Sequence, residues 1–500
     1  VNPLRKLAGQ TAIYGLSSIV GRLLNYLLVP LHTRVFEPAA YGIVTEMYSY
    51  VAFLMIVLTY GFETSFFRFA SNQEDRSKIY ATTLISLLVS SLGFFLITLV
   101  FAHPIASLIR YPDQSEYIIW FALILATDAI TSIPFAKLRL ENRPFKFAFL
   151  KLFNIGVNVI INVFFLLICP WLLKNGSEST REFVNVIYSP QIGIGYVFIA
   201  NLLASVATFL MLMPDMWKMS WKFDPELWKR MMRYSLPLLI GGMAGITSEM
   251  FSRVSLKYQL PESIAMHELG VFGACYKVAI LMTIFIQTFR FAAEPFFFTQ
   301  AKENNSKKLY ADVMHWFVIA CSMIYLGVLL FMNVVKYFIG EAYYEGLVIV
   351  PILLMANLFL GIFFNLSIWF KLNDKTHIGA WLAIFGSILT IGLNYLWVPE
   401  FGYLGASWAT FVVYFLMMVI SYFLGQKYYP ISYDLRRVIG YPLAAAILVM
   451  AYTQFLPLEG WLSWPLKILI MLTFSGVVWL LEVRKKSVIS PQSTSENRSV

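Results

Sequence analysis

Long apolar stretches separated by short polar breaks run the whole length of the 500-residue chain, and they set its class before any single residue is considered. A helix needs about 20 mainly apolar residues to cross a bilayer, and by that measure about 14 spans are predicted. The first seven lie near Gly9 to Leu31, Val44 to Phe62, Tyr80 to Phe101, Glu116 to Ala136, Phe147 to Leu172, Gln191 to Met213 and Tyr234 to Tyr258. The second seven lie near Gly270 to Phe298, Tyr310 to Met332, Gly346 to Phe370, His377 to Trp397, Tyr403 to Gly425, Arg437 to Leu456 and Trp464 to Leu481. Most are unbroken runs of Leu, Ile, Val and Phe rather than the two-residue alternation of a barrel strand, and a helix satisfies its own backbone where water is absent. The expected fold is all-α: a polytopic bundle of transmembrane helices.

Composition agrees with this, at 59% hydrophobic, 17% aromatic and only 13% charged residues. The net charge of +10 raises the question of a nucleic-acid partner, but its distribution answers it. With a cytoplasmic N-terminus, about 27 of the 38 Lys and Arg fall in one set of alternate loops and the C-terminal tail, against about 6 on the other side. The charge is a topology signal and places both termini in the cytoplasm. Its densest parts, Lys137 to Lys151 and Lys218 to Arg233, also suit anionic membrane lipids. Cys169, Cys275 and Cys321 give no disulfide framework, and the scattered His residues give no metal-ligand spacing. No phosphate-binding loop of the G-x-x-x-x-G-K-[ST] kind occurs, so no ATPase is expected. The first apolar segment carries Arg22 and lacks a cleavage pattern, and it reads as a retained helix rather than a signal peptide.

The longest polar connections, Pro214 to Arg233 and Trp171 to Pro190, are only about 20 residues and leave no room for a soluble catalytic domain. Spacing of punctuating residues suggests two halves. Phe36-Glu37-Pro38 to Gly42 leads into the second span, as Leu260-Pro261 and Glu268-Leu269-Gly270 lead into the eighth. Asn158 and Asn162 precede Gly193 and Gly195, as Asn394 precedes Pro399, Gly402 and Gly405. Internal repeats of this kind are a transporter signature. The expected organisation is an N-terminal lobe at 1–213, a C-terminal lobe at 214–425, two additional helices at 426–483 and a polar, disordered tail at 484–500.

The same residues carry a family resemblance. Leu28-Val29-Pro30-Leu31-His32-Thr33-Arg34-Val35-Phe36 with Tyr41-Gly42, then Tyr60-Gly61-Phe62-Glu63-Thr64-Ser65-Phe66-Phe67-Arg68-Phe69-Ala70, resemble the opening of the polysaccharide-transporter family of lipid-linked oligosaccharide flippases. Asn394-Tyr395-Leu396-Trp397-Val398-Pro399 with Gly402 to Thr410 adds to it. That family belongs to the superfamily of multidrug, oligosaccharidyl-lipid and polysaccharide exporters. The resemblance implies a bacterial inner-membrane protein that moves an undecaprenyl-pyrophosphate-linked glycan, of the O-antigen or lipopolysaccharide kind, from the cytoplasmic to the periplasmic leaflet. It implies no cofactor, and as protein partners it implies other polysaccharide assembly proteins.

Ionisable residues inside spans are expensive and mark candidate sites. Arg22 and Asn25 share one face of the first span with Gly15 and Ser18, and Arg22 reads either as a cation for pyrophosphate or as a helix-packing residue. With Arg253, Lys277 and Arg290 it would form an electropositive route across the membrane. Arg253 is also placed to pair with Glu249 at i,i+4, and Arg290 with Glu294. Asp128 has no basic neighbour one turn away on its helix, which makes it, with Glu249, the candidate for H⁺ or Na⁺ coupling; the bland reading is a carboxyl bonded to Thr127, Thr131 or another helix. Glu46 and Glu63 lie near span ends and are expected to reach water. Asn154, Asn158 and Asn162 recur at four-residue spacing, to bind sugar hydroxyls or to bond helices together. Two rival functions stand beside the flippase: a cation-coupled multidrug or metabolite exporter, favoured by an excess of interior carboxylates, and a membrane glycan polymerase or glycosyltransferase, favoured by a large outer loop bearing convergent acids.

Overall fold

The computed structural model describes residues 20, 23–24, 26–71, 75–300, 306–373, 375–455 and 463–483. The main helices are α1 Leu28–Val35, α2 Pro38–Thr59, α3 Phe62–Ser71, α4 Arg76–Val100, α5 Ala102–Leu108, α6 Ser115–Leu140, α7 Pro144–Asn175, α8 Gly195–Trp217, α9 Pro225–Gln259 and α10 Glu262–Val278. They continue as α11 Ile280–Gln300, α12 Ser306–Leu330, α13 Val350–Leu366, α14 Thr376–Tyr428, α15 Leu435–Phe455 and α16 Ser463–Val478. No strand occurs among the described residues, and the protein is an all-α membrane bundle.

Among the described residues, 10 helices are long and apolar enough to cross a membrane, and α10 with α11 makes one further span bent by 52°. With 53 residues, α14 is about 80 Å long if straight, far more than a bilayer core of about 30 Å. It breaks at Gly402, whose φ of 53° lies in the glycine-favouring region, and so supplies two spans. The predicted seventh span lies in α9, whose central stretch is diluted by Gly, Ser, Thr and Pro and falls short of the apolar set, and the first lies largely outside the described residues. This inventory is consistent with the count expected from the sequence.

The chain divides into two compact units. The first comprises the described part of Val1–Lys277 with Ile339–Gly346 and His377–Val413; the second comprises that of Val278–Phe338, Leu347–Thr376 and Tyr414–Val500. In the first, α6 is central and packs against α2, α3, α4, α5, α7 and α8, while α9 lies along α2. Phe62, Phe66, Leu84, Ile133, Leu150 and Met231 form the buried core at one end of this unit. In the second, α12 packs against α11, α13, α15 and α16.

Local chemistry fixes several helix ends in the first unit. Pro38 opens α2, where its missing N–H costs nothing. Tyr60, at φ 33°, and Gly61, at φ 75°, turn the chain into α3. Asp224 caps α9 by accepting from the backbone N–H of Glu226 at 2.9 Å and Leu227 at 3.0 Å, and Lys78 Nζ lies 2.5 Å away. The Lys78 ammonium, followed by these N–H groups, holds the Asp224 carboxyl below the usual carboxylate range. Lipid tails are as apolar as the side chains, so close packing replaces the hydrophobic effect between spans. Accordingly a Cβ on Gly270 would run into the Pro38 carbonyl, and one on Gly273 into Thr45. Gly193 and Gly402, which the sequence sets in corresponding places of its two halves, adopt similar conformations, with φ 49°, ψ −116° and φ 53°, ψ −133°.

Among the described residues of this unit, Glu46 is the most densely bonded charge. The sequence places it near a span end, reaching water, but α2 begins at Pro38, so Glu46 lies about two turns inside and is fully buried. Lys257 Nζ on α9 is 2.6 Å from its Oε1 and also donates to the Ile109 carbonyl at 2.6 Å. The Tyr50 and Tyr111 hydroxyls donate to the carboxylate at 2.5 and 2.6 Å, and the Lys257 ammonium sits 4.0 Å from the Tyr111 ring centroid. Glu63 likewise does not stand alone, since Arg139 on α6 forms an ion pair with it.

Removing one partner of a buried pair leaves the other charge uncompensated at a cost of about 3–5 kcal/mol. Lys257→Met is therefore expected to lower stability by about that amount in detergent-solubilised protein. Adding Glu46→Gln should recover part of the loss. A Lys257→Met protein that melts with the wild type would show that this pair does not hold α2 to α9.

Candidate functional site

A polar cavity of about 360 Å³ opens inside the first unit among α1, α2, α7, α8, α9 and α10. Two cations line it, Arg253 and Lys277, and among the described lining residues there is no carboxylate. Arg253 is buried and is held from several sides. Its Nη1 donates to the Glu249 main-chain carbonyl at 2.7 Å and approaches Met250 Sδ at 3.2 Å, while the guanidinium lies 4.7 Å from the Tyr276 ring centroid. Lys277 Nζ is 5.0 Å from the ring of Tyr26. These partners are neutral, and Glu249 acts on Lys277 through its field.

The rest of the lining supplies neutral hydrogen-bonding groups: Asn154, Asn158, Asn162 and Asn201, the phenols of Tyr26, Tyr41 and Tyr48, and the hydroxyls of Thr45 and Ser49. His32 Nε2–H donates to Asn162 Oδ1 at 2.9 Å, and Asn162 Nδ2 donates to Asn158 Oδ1 at 2.9 Å. Asn201 Nδ2 donates to the Tyr48 hydroxyl at 2.9 Å. The asparagine ladder thus bonds helices together and lines the cavity at once, so its two sequence readings are compatible. Chemically the site offers charge for a phosphate and amides and phenols for sugar hydroxyls.

A second polar cavity, of about 350 Å³, lies in the same unit against α6, α7 and α8, and Asn154 borders both. It contains Asp128, Lys151, Glu63 and Arg139 with Thr131, Ser132 and Thr208. Asp128 is hydrogen-bonded by Ser205 of α8 and interacts electrostatically with Lys151 of α7, whose ammonium lies 4.2 Å from the Phe135 ring centroid. Thr127 and Thr131 donate instead to main-chain carbonyls of α6. The partners of Asp128 therefore come from neighbouring helices, which spacing along α6 cannot reveal.

The remaining sequence candidates fall elsewhere. Arg22 and Asn25 lie outside the described residues. Glu249 is exposed, and the i,i+4 ion pair with Arg253 is not made, because the guanidinium turns onto Tyr276 and bonds the backbone of Glu249. Arg290 belongs to the second unit, with its guanidinium 4.5 Å from the Phe364 ring centroid. Sequence reasoning passed over Lys257, a charge inside a predicted span, and counted Lys151, inside another, among the loop charges.

The fold is shared with known transporters. The solved structure titled "Lipid II flippase MurJ, inward closed conformation" matches with a TM-score of 0.68 at 13% identity, over 94% of this chain and 99% of that one. An inward-facing multidrug resistance MATE family transporter of the MOP superfamily matches with a TM-score of 0.61 at 14% identity, over 89% of this chain and 96% of that one. A MATE protein in complex with MaD3S matches with a TM-score of 0.56 at 13% identity, over 88% and 97%. No curated protein sequence matches the chain. The family model described as polysaccharide biosynthesis protein covers residues 7–299, more than half of the sequence, and the chain belongs to that family.

Proposed function

We propose that this protein is a flippase that carries an undecaprenyl-pyrophosphate-linked oligosaccharide or polysaccharide repeat unit from the cytoplasmic to the periplasmic leaflet of a bacterial inner membrane. The observation that supports it best is the cavity holding Arg253 and Lys277 with no lining carboxylate among the described residues. A drug exporter for cations needs the opposite sign there. Family membership and the fold shared with a lipid II flippase agree with the reading. In it, lobes made of spans one to six and seven to twelve expose the cavity to each leaflet in turn, and no covalent chemistry is needed. Arg22, Asn25 and Arg290 complete the route of the pyrophosphate. Arg suits that group because its planar fork donates two parallel hydrogen bonds. Other polysaccharide assembly proteins receive the translocated product.

A second element of the proposal is ion coupling. The Asp128–Lys151 cavity supports it, since a proton or Na⁺ taken up by Asp128 would release Lys151 from its field. Glu249, exposed on α9, is the other carboxylate assigned to this role.

In liposomes carrying prenyl-pyrophosphate-linked oligosaccharide, Arg253→Ala should slow leaflet exchange by about 10- to 100-fold, the loss of one charge-assisted hydrogen bond of about 1.5–3 kcal/mol. Arg253→Lys should fall between, and Arg22→Ala should match or exceed Arg253→Ala because Arg22 is assigned to the middle of the membrane. Normal exchange by a well-folded Arg253→Ala protein would remove this residue from the route.

Asp128→Asn should abolish the acceleration produced by an imposed H⁺ or Na⁺ gradient and leave glycolipid binding near the wild-type level. Full gradient-driven exchange by that variant would dismiss the coupling assignment.

Both termini are assigned to the cytoplasm. Single cysteines introduced between Lys137 and Lys151 should resist a membrane-impermeant thiol reagent in intact cells. Ready labelling there would invert the topology.

A further inference from the structure

A third cavity in the first unit has a different chemistry from the two polar ones. It measures about 570 Å³ and is walled by α2, α4, α6 and α9, with Ile105 and Ile109 at one end. Its lining is apolar apart from Tyr50 and Thr98. It backs onto the polar cavity across the same two helices. On α2, Tyr41, Thr45 and Tyr48 face the polar cavity, whereas Met47, Val51 and Leu54 face the apolar one. At about 100° per residue these two sets centre about 120° apart around the helix, on different faces. On α9 the division recurs, with Met250 and Arg253 toward the polar cavity and Phe251 and Val254 toward the apolar one.

A lipid-linked glycan requires two such compartments in contact, because its diphosphate and its polyprenyl chain demand opposite surroundings. We propose that the apolar cavity holds the polyprenyl chain while the diphosphate occupies the polar cavity, so that the α2–α9 seam is a lateral passage for the lipid-linked glycan. This rests on the flippase reading and adds a tail site and a route to it. The buried Glu46–Lys257 pair bridges the seam and keeps it shut. A diphosphate entering the seam offers Lys257 a replacement for Glu46, while the Tyr50 and Tyr111 hydroxyls go on donating to the carboxylate left behind, so the bolt opens for this cargo without leaving either charge bare. Phospholipid tails fit the apolar cavity on hydrophobicity, but a phosphodiester head brings one negative charge to the two cations of the polar cavity, where a diphosphate brings two.

The test uses wild-type protein in liposomes and two probes: a polyprenyl-diphosphate-linked sugar with a diazirine on its terminal isoprene units, and a diacyl phosphatidylglycerol with a diazirine on an acyl chain. Mass spectrometry should find the polyprenyl probe attached to α4 and α6 at Phe94, Phe121 or Leu125. Unlabelled polyprenyl-linked sugar should compete with it, and a matching excess of phosphatidylglycerol should not. Ala122→Trp, which fills the cavity, should slow exchange of the polyprenyl-linked sugar about tenfold while leaving binding of a water-soluble sugar diphosphate unchanged. If wild-type protein exchanges the polyprenyl-linked sugar but the probe attaches elsewhere, or phosphatidylglycerol competes equally, the tail site is refuted and the flippase reading stands. If wild-type protein neither binds nor exchanges that sugar, the flippase reading falls and the tail site with it.

Discussion

The constraint on which this structure depends is the absence of water in the bilayer core, where every charge must find its partner within the protein. Most of the intramembrane charges described here meet that demand in a way that neutralises them. Glu46 takes an ammonium and two phenols, Glu63 takes Arg139, and Asp128 has Ser205 and the field of Lys151. Arg253 and Lys277 are treated differently. A carbonyl, a thioether and aromatic faces hold them in place, and Glu249, exposed on α9, acts on Lys277 through its field alone. The functional asymmetry of the first unit lies in this contrast between charges that are cancelled and charges that are only held.

Much of the fold was legible because a membrane span announces itself along the chain. The runs of Leu, Ile and Phe needed no partner to be recognised, and even the break inside the 53-residue helix was signalled by Pro399, Gly402 and Gly405. What the sequence could not convey is contact between helices. Glu46 looked like a residue at a span end, and nothing near it in sequence points to Lys257, 211 positions away. Asp128 looked solitary because Ser205 and Lys151 stand on other helices. The i,i+4 rule also misled at Glu249 and Arg253. It describes side chains that share water on an exposed face, whereas here Tyr276 and Phe272 draw the guanidinium away.

The glycines that punctuate the chain have a physical reason. Few residues tolerate φ near 50° with strongly negative ψ, so a turn of that shape writes glycine into the sequence wherever it recurs. Gly193 and Gly402 share it. At Gly402 the second turn is completed from a distance, with the Glu268 carboxylate accepting from the Tyr403 N–H at 2.9 Å. Two sequence signals noted separately, Glu268-Leu269-Gly270 and Gly402-Tyr403, thus belong to one contact in the folded chain.

The two faces of α2 show why a helix of modest amphipathicity suits this work. A helix that separates lipid from an aqueous cavity carries one polar and one apolar face. In α2 the polar face looks onto a cationic cavity and a second face onto an apolar cavity, with Glu46 between them on the side toward α9. If Glu46 were apolar, α2 and α9 would pack as any two spans do, and their seam would give a passing anion no reason to part it. If it were charged without Lys257, the seam would carry a desolvation cost that the fold cannot bear. The buried pair satisfies the bilayer's requirement while the seam is closed, and it leaves Lys257 ready to exchange one anion for another when the seam opens.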